Sequence, residues 1–236
     1  MIDYHSGAAR FVTRAEGRTT RHSFSFGSHY DPRNVGFANL VAHNDEQLPP
    51  GTGYPDHPHA DLEIVTWVLT GALRHTSTVG SGVLGPGQVQ RLSAGSGVVH
   101  SEVADGDAET RFLQAWVRPD ESGLEPGYRA GEVRVGDGWT CVAGAAGSGV
   151  VDLAARGTSL HVADLAAGQR LALPDAARLH VFVTSGQVML AERRLQDGDA
   201  ARLVDEGGRD LVGEERAQVL VWALPGHAGP EPDVRG

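Results

Sequence analysis

Glycine and proline interrupt this chain every few residues, and that punctuation restricts its fold more than any other feature. The 32 glycines and 12 prolines leave few windows with helical periodicity, because each one weakens a helix or ends it. Between them lie short runs rich in Val, Leu and Thr, at 62–69, 88–92, 111–117 and 179–183. Runs of this length bounded by turn residues read as strands, and many in series read as a sandwich or barrel. The expected fold is all-β. The Ala-rich stretch 151–156 is a weak helical exception, too short to stand alone.

Turn markers recur in the same order along the chain, which points to an internal repeat. Leu69-Thr70-Gly71 resembles Thr184-Ser185-Gly186, Pro86-Gly87-Gln88 resembles Asp197-Gly198-Asp199, and Trp116-Val117-Arg118-Pro119 resembles Trp222-Ala223-Leu224-Pro225. Two similar β-domains are therefore expected, 1–122 and 123–236, divided in the Pro- and Gly-rich stretch 119–131. The Pro/Gly-rich tail 226–236 reads as loosely held.

Several function classes are set aside at once. A net charge of −10 and scattered arginines give no basic field for nucleic acid. All 20 basic residues are Arg, so no lysine Schiff base or P-loop lysine is available. The single Cys141 excludes an intrachain disulfide, a multi-cysteine zinc site and an iron–sulfur cluster, which suits a reducing, cytoplasmic setting. The first residues lack an apolar export segment and no stretch is apolar enough to span a membrane, so a soluble monomer is expected.

One constellation carries chemistry. His57 and His59 stand at i and i+2, and on an extended chain they share a face. His100 and Glu102 repeat the spacing some forty residues on. Either piece alone reads as a turn or as a satisfied core histidine. Two such strands side by side would present three imidazoles and a carboxylate to one divalent transition metal, with positions open for water or substrate. Iron is the first choice, then manganese, nickel, copper, zinc or cobalt. Gly95 and Gly97 would let the chain turn sharply just before His100.

Other candidates read more plainly. His75 is taken as a solvated strand-end histidine, and His5, His22, His29, His43, His161, His180 and His227, with no paired spacing, as structural or exposed. Gln90 and Gln114 could hydrogen-bond a substrate or satisfy backbone groups. Phe24, Phe26, Trp67, Trp116 and Trp222 read as core, with one or two walling an apolar pocket. Cys141 reads as inert.

The blocks around these residues resemble a family. His57-Pro58-His59, the segment 63–71, Gly87-Gln88-Val89-Gln90, the segment 94–102 and Leu113-Gln114-Ala115-Trp116 are similar to the pirins, a branch of the cupin superfamily, and 22–27 with 30–32 are similar to the bacterial pirin-like proteins. The resemblance covers roughly 20–120 and is only an outline beyond. It implies a bicupin fold, two jelly-roll-like β-barrels face to face, with metal ligands at His57, His59, His100 and Glu102 in the first. Glu63, near the usual cupin ligand position, is followed by seven rather than six residues before Gly71, a departure pirins share, which favours Glu102. Counting back from Gly186 puts Ala172 and Pro174 where the first half has His57 and His59, and Leu211 near the place of His100. The second barrel is expected to hold no metal.

The activity implied is quercetin 2,3-dioxygenase chemistry on a small aromatic substrate and dioxygen, with Glu102 or a metal-bound hydroxide as base. A non-catalytic regulator binding a protein partner is the alternative, and a cupin isomerase or hydrolase a third. An open cavity leading to the metal would favour an enzyme.

Overall fold

The computed structural model describes residues 1–226; the tail beyond Gly226, and His227 with it, lies outside the described residues. Strands dominate throughout, as the punctuation predicts, and the four runs become Glu63–Thr70, Gln88–Ser93, Thr110–Val117 and Arg178–Ser185. The Ala-rich stretch forms no helix. Its first two residues, Val151–Asp152, pair in parallel with Ala143 and Gly144, and bends follow.

In the first half a seven-stranded sheet runs in the order Gly127–Glu132, Gln88–Ser93, Glu63–Thr70, Thr110–Val117, Leu40–Leu48, Arg18–His22, Phe11–Ala15. A four-stranded sheet, Gly53–His59, Val98–Ala104, Leu73–Ser77, Gly80–Leu84, packs on it, with Leu73, Leu84 and Ala104 meeting Leu48, Val68 and Phe112. The second half repeats the plan. Ala200–Val204, Arg178–Ser185, Ala217–Leu224 and Ser159–Leu165 stand in the same spatial order as Gln88–Ser93, Glu63–Thr70, Thr110–Val117 and Leu40–Leu48. The repeat is therefore one of fold. Each half is the expected jelly-roll, built as a sandwich of two open sheets rather than as a closed barrel.

Each half also lends a strand to the other. Ile2–His5 pairs with Ala200–Val204, Ile2 opposite Leu203, while Gly127–Glu132 edges the first half's large sheet along Gln88–Ser93. The matching turn markers have a common cause. Gly71 and Gly186 have φ of 72° and 76°, and a Cβ there would lie 2.5 Å from Glu109 O and 2.1 Å from Arg216 O. Only glycine fits both the backbone angle and the contact.

The large sheets of the two halves share a core that includes Trp67, Leu113, Phe182, Leu220 and Trp222. Along Glu63–Thr70, Val65 and Trp67 face this shared core, whereas Ile64 and Val68 face inward within the first half. Burial on both faces is why the strand reads as a nearly continuous apolar run. Among the described residues no helix is long and apolar enough to cross a membrane.

Candidate metal centre

The strands carrying the two i, i+2 pairs are antiparallel neighbours, with His100 opposite His57 and Val98 opposite His59. The tight turn before His100 uses Gly95, φ 46°, where a Cβ would sit 2.1 Å from Leu124 O. A shift in register between His100 and Glu102 then sets Glu102 opposite Tyr54. Ring centroids lie 4.3 Å apart for His57 and His100, 4.9 Å for His57 and His59, and 5.0 Å for His59 and His100. One ring nitrogen from each of the three falls within 4.8 Å of the others.

The donor set fits a cation. His57 Nδ1 donates to Pro55 O at 2.8 Å, which leaves Nε2 as the ligating lone pair. His59 Nε2 and both ring nitrogens of His100 are buried without a partner among the described residues, a costly state that a metal would relieve. Burial, reinforced by the neighbouring His57, lowers the pKa of His59 to about 4 against the pull of Glu102. Burial likewise lowers His100 to about 4, again against Glu102. Both are neutral at pH 7, the form that ligates.

Glu102 is 1% exposed. Burial works to raise its pKa, but the polar neighbours His75, His100 and Gln114 outweigh it and hold the carboxyl below the ordinary range. Gln90 Nε2 donates to Oε1 at 2.9 Å and Gln114 Nε2 to Oε2 at 2.7 Å. The two glutamines thus serve Glu102, neither of the roles considered from sequence. His75 is a clear correction: it is fully buried, not a solvated strand end. It stacks on Tyr128 at 4.7 Å, and its Nδ1 lies 3.8 Å from Glu102 Oε1. With His100 and Glu102 it forms a second group whose ligand atoms fall within 4.8 Å. The four sequence candidates therefore meet as two overlapping triads that share His100. Glu63 is engaged elsewhere, accepting from Ser93 Oγ at 2.6 Å.

A cavity of about 320 Å³ opens onto His57, His59 and Glu102. Phe26 and Trp116 wall it, their rings 5.1 Å apart, and Trp116 also packs edge-on to His59 at 4.9 Å. Polar groups at its margin come from the first strands: Thr20, His22, Asn44, Glu46 and Tyr54. His22, set aside for its lack of paired spacing, is part of this wall and is held by Thr13 and Asn44 at 2.8 and 3.0 Å. Glu46 carried a signal that went unused, a polar run within an otherwise apolar strand.

Two family models match the chain. Residues 6–117 match the Pirin family and 151–224 the Quercetinase C-terminal cupin domain. A Mycobacterium tuberculosis protein named "Putative quercetin 2,3-dioxygenase" is 42% identical over 237 residues, 97% of each chain. The Escherichia coli protein named quercetin 2,3-dioxygenase is 31% identical over 86% of this chain and 90% of its own. The crystal structure of a bacterial pirin from Escherichia coli in complex with nickel(II) superposes with a TM-score of 0.89 at 27% identity, covering 95% of this chain and 99% of that one.

Proposed function

Because the chain belongs to the pirin family of bicupins, we propose that it is a metal-dependent dioxygenase cleaving a flavonol or similar aromatic substrate, with the metal held by His57, His59, His100 and Glu102. The observation that carries this reading is the cavity, which is of ligand size and opens onto two of those histidines and the carboxylate. A site closed over by protein would have suited a regulator better.

When bound, the metal supplies Lewis acidity toward a substrate oxygen and electron transfer to dioxygen. The chain's own residues do the rest. Phe26 and Trp116 offer flat apolar faces to an aromatic ring and exclude water from one side. Gln90 and Gln114 fix Glu102 in its ionised state, aimed by two charge-assisted hydrogen bonds. His59 and His100 stay neutral, so protons do not compete for the ligand positions near pH 7.

We assign the chemistry to 1–122 and a supporting role to 123–236. In the second half the equivalent small sheet sets Leu211 opposite Leu171 and Leu190, in an interior filled by apolar side chains. We further propose a monomer working in the cytoplasm, where Cys141 stays a thiol.

The test is loss of quercetin absorbance under dioxygen after reconstitution with each divalent metal in turn. Turnover with at least one metal, abolished in His57→Ala, is expected. No turnover with any of them sinks the proposal.

A further inference from the structure

Glu46 shares the cavity with Glu102 but stands outside either triad. It is 3% exposed, on the strand Leu40–Leu48. Thr20 Oγ1 and Tyr54 OH both donate to its Oε2, at 2.6 and 2.7 Å. Its Oε1 accepts no hydrogen bond among the described residues and is left to the cavity. Two strand pairings tie Glu46 to the centre. Tyr54, its donor, stands opposite Glu102. Gln114, which holds Glu102, stands opposite Asn44, with Phe112 opposite Glu46. Glu46 and Gln114 are therefore diagonal neighbours on one face, with backbones about 7–8 Å apart.

From this placement we propose that Glu46 is the acid–base residue of the pocket, taking the proton from a phenolic hydroxyl of the bound aromatic substrate and returning it to the product. This rests on the dioxygenase reading for the substrate class. In the forward step the substrate O–H bond breaks, an O–H bond forms at Glu46 Oε1, and the electron pair stays on the substrate oxygen as phenolate. The reverse transfer to product restores the carboxylate.

The electrostatics divide the two carboxylates by role. Burial, helped by the negative charges of Glu102 and Asp45, raises Glu46 to about 7 despite the donors Thr20 and Tyr54. Glu102 accepts from Gln90 and Gln114 on its two oxygens, whereas Glu46 keeps Oε1 toward the cavity. Two carboxyl groups in such different surroundings separate a proton carrier from a fixed anion. Among the described residues no guanidinium bonds Glu46. Arg18 stacks over the Tyr54 ring at 4.3 Å, and Arg10 and Arg111 both bond Asp45, the adjacent residue, which projects to the opposite face of the strand. His22, on the neighbouring strand, has its pKa lowered by burial and remains neutral.

The experiment is anaerobic binding of quercetin near pH 8 to metal-loaded protein. Calorimetry in two buffers of different ionisation heat counts protons, while the absorbance of bound quercetin reports phenolate. Wild type is expected to show phenolate with no net proton release, since the phenolate charge beside Glu46 raises its hold on the proton above that of the empty pocket. Glu46→Gln, nearly isosteric, should either release about one proton per quercetin or bind the neutral phenol. Under dioxygen its kcat/KM should fall about 100- to 10,000-fold, the range for loss of a general base, with metal content unchanged. In Tyr54→Phe, which removes one donor to Glu46, the pH midpoint of kcat/KM should move upward. The same proton count and spectrum in Glu46→Gln as in wild type, or proton release by wild type, overturns the proposal. Wild type that binds quercetin and retains the proton but never turns over defeats the dioxygenase reading and leaves the role of Glu46 standing. Wild type that binds no quercetin overturns both.

Discussion

Gln114 donates its side-chain amide to Glu102 Oε2 at 2.7 Å, and its own Oε1 accepts from Trp116 Nε1 at 3.1 Å. One residue thereby links the candidate ligand to the aromatic wall of the cavity. Gln114→Leu keeps comparable volume but removes the donor. Outer groups that orient a ligand contribute about 10- to 100-fold to metal affinity, so a loss of that size is expected in competition with a chromophoric chelator. Unchanged affinity would show that Glu102 is not held for a metal.

A second buried imidazole pair lies between the two halves and has a different consequence. His180 is fully buried, packs edge-on to His43 at 4.9 Å, and has no partner among the described residues for either ring nitrogen. Burial, together with His43, Arg202, His5 and Arg10, drives its pKa well down, and burial takes His43 to about 3. Both rings bind protons more readily in the unfolded chain, where histidine titrates near 6.5. The stability that comes from keeping them neutral is therefore complete above about pH 6.5 and declines as pH falls below it. Each such group adds up to about 1.4 kcal/mol per pH unit to the slope. In metal-free His180→Phe, urea unfolding between pH 6 and 5 should show a slope smaller by about that amount. An unchanged slope would mean that His180 takes up its proton within the fold.

How much of this was legible in the sequence depended on whether a feature is local or set by pairing. The strands were legible because Gly and Pro bound short apolar runs, and the His57–His59 and His100–Glu102 pairs because period-two spacing fixes a face. The turn repeat at Gly71 and Gly186 was legible because a left-handed backbone angle demands the same residue twice. His75 was not. Its role depends on standing opposite Glu102 on a neighbouring strand, and register between strands leaves no mark on either one alone. Glu46 was missed for a related reason, since the carboxyl acquires its character from burial in the cavity wall, which strands from several parts of the chain build together. The exchange of Ile2–His5 and Gly127–Glu132 between halves is likewise a matter of which edge a strand joins.

The junction between the halves should be sensitive to one carboxylate. Asp45 receives Arg111 through two hydrogen bonds, at 2.9 and 3.0 Å, and Arg10 at 3.2 Å. Arg111 in turn donates to Thr184 O and Asp197 of the second half, at 3.2 and 2.9 Å. Asp45→Asn leaves buried guanidinium groups short of a counter-charge, which costs about 3–5 kcal/mol. Burial raises the carboxyl's pKa, but the two arginines more than offset this and hold it low. Its contribution is thus full above the unfolded carboxyl's value near 3.9 and fades below it. Urea unfolding at pH 7 should give the full loss, and a loss under about 1 kcal/mol would show that the arginines find other partners.

The two overlapping triads make opposite demands on metal content. His100 belongs to both, so His100→Ala empties the site in either case and cannot tell them apart. His57 and His75 can. If His57, His59 and His100 hold the metal with Glu102, His57→Ala should lose most of it on gel filtration. His75→Phe, which keeps the stack on Tyr128, should then retain close to one equivalent, with affinity weakened through Glu102 alone. If His75, His100 and Glu102 are the primary set, the order reverses. The bare nitrogens bear on the choice without settling it, since His59 Nε2 and His75 Nε2 are both buried and unpartnered. The cavity favours the first set, because it reaches His57 and His59 whereas His75 lies behind Glu102, stacked on Tyr128. Metal held by the first set would face the cavity that Phe26 and Trp116 wall. Elemental analysis of the two variants, purified without a histidine tag, is therefore expected to show metal retained in His75→Phe and lost in His57→Ala.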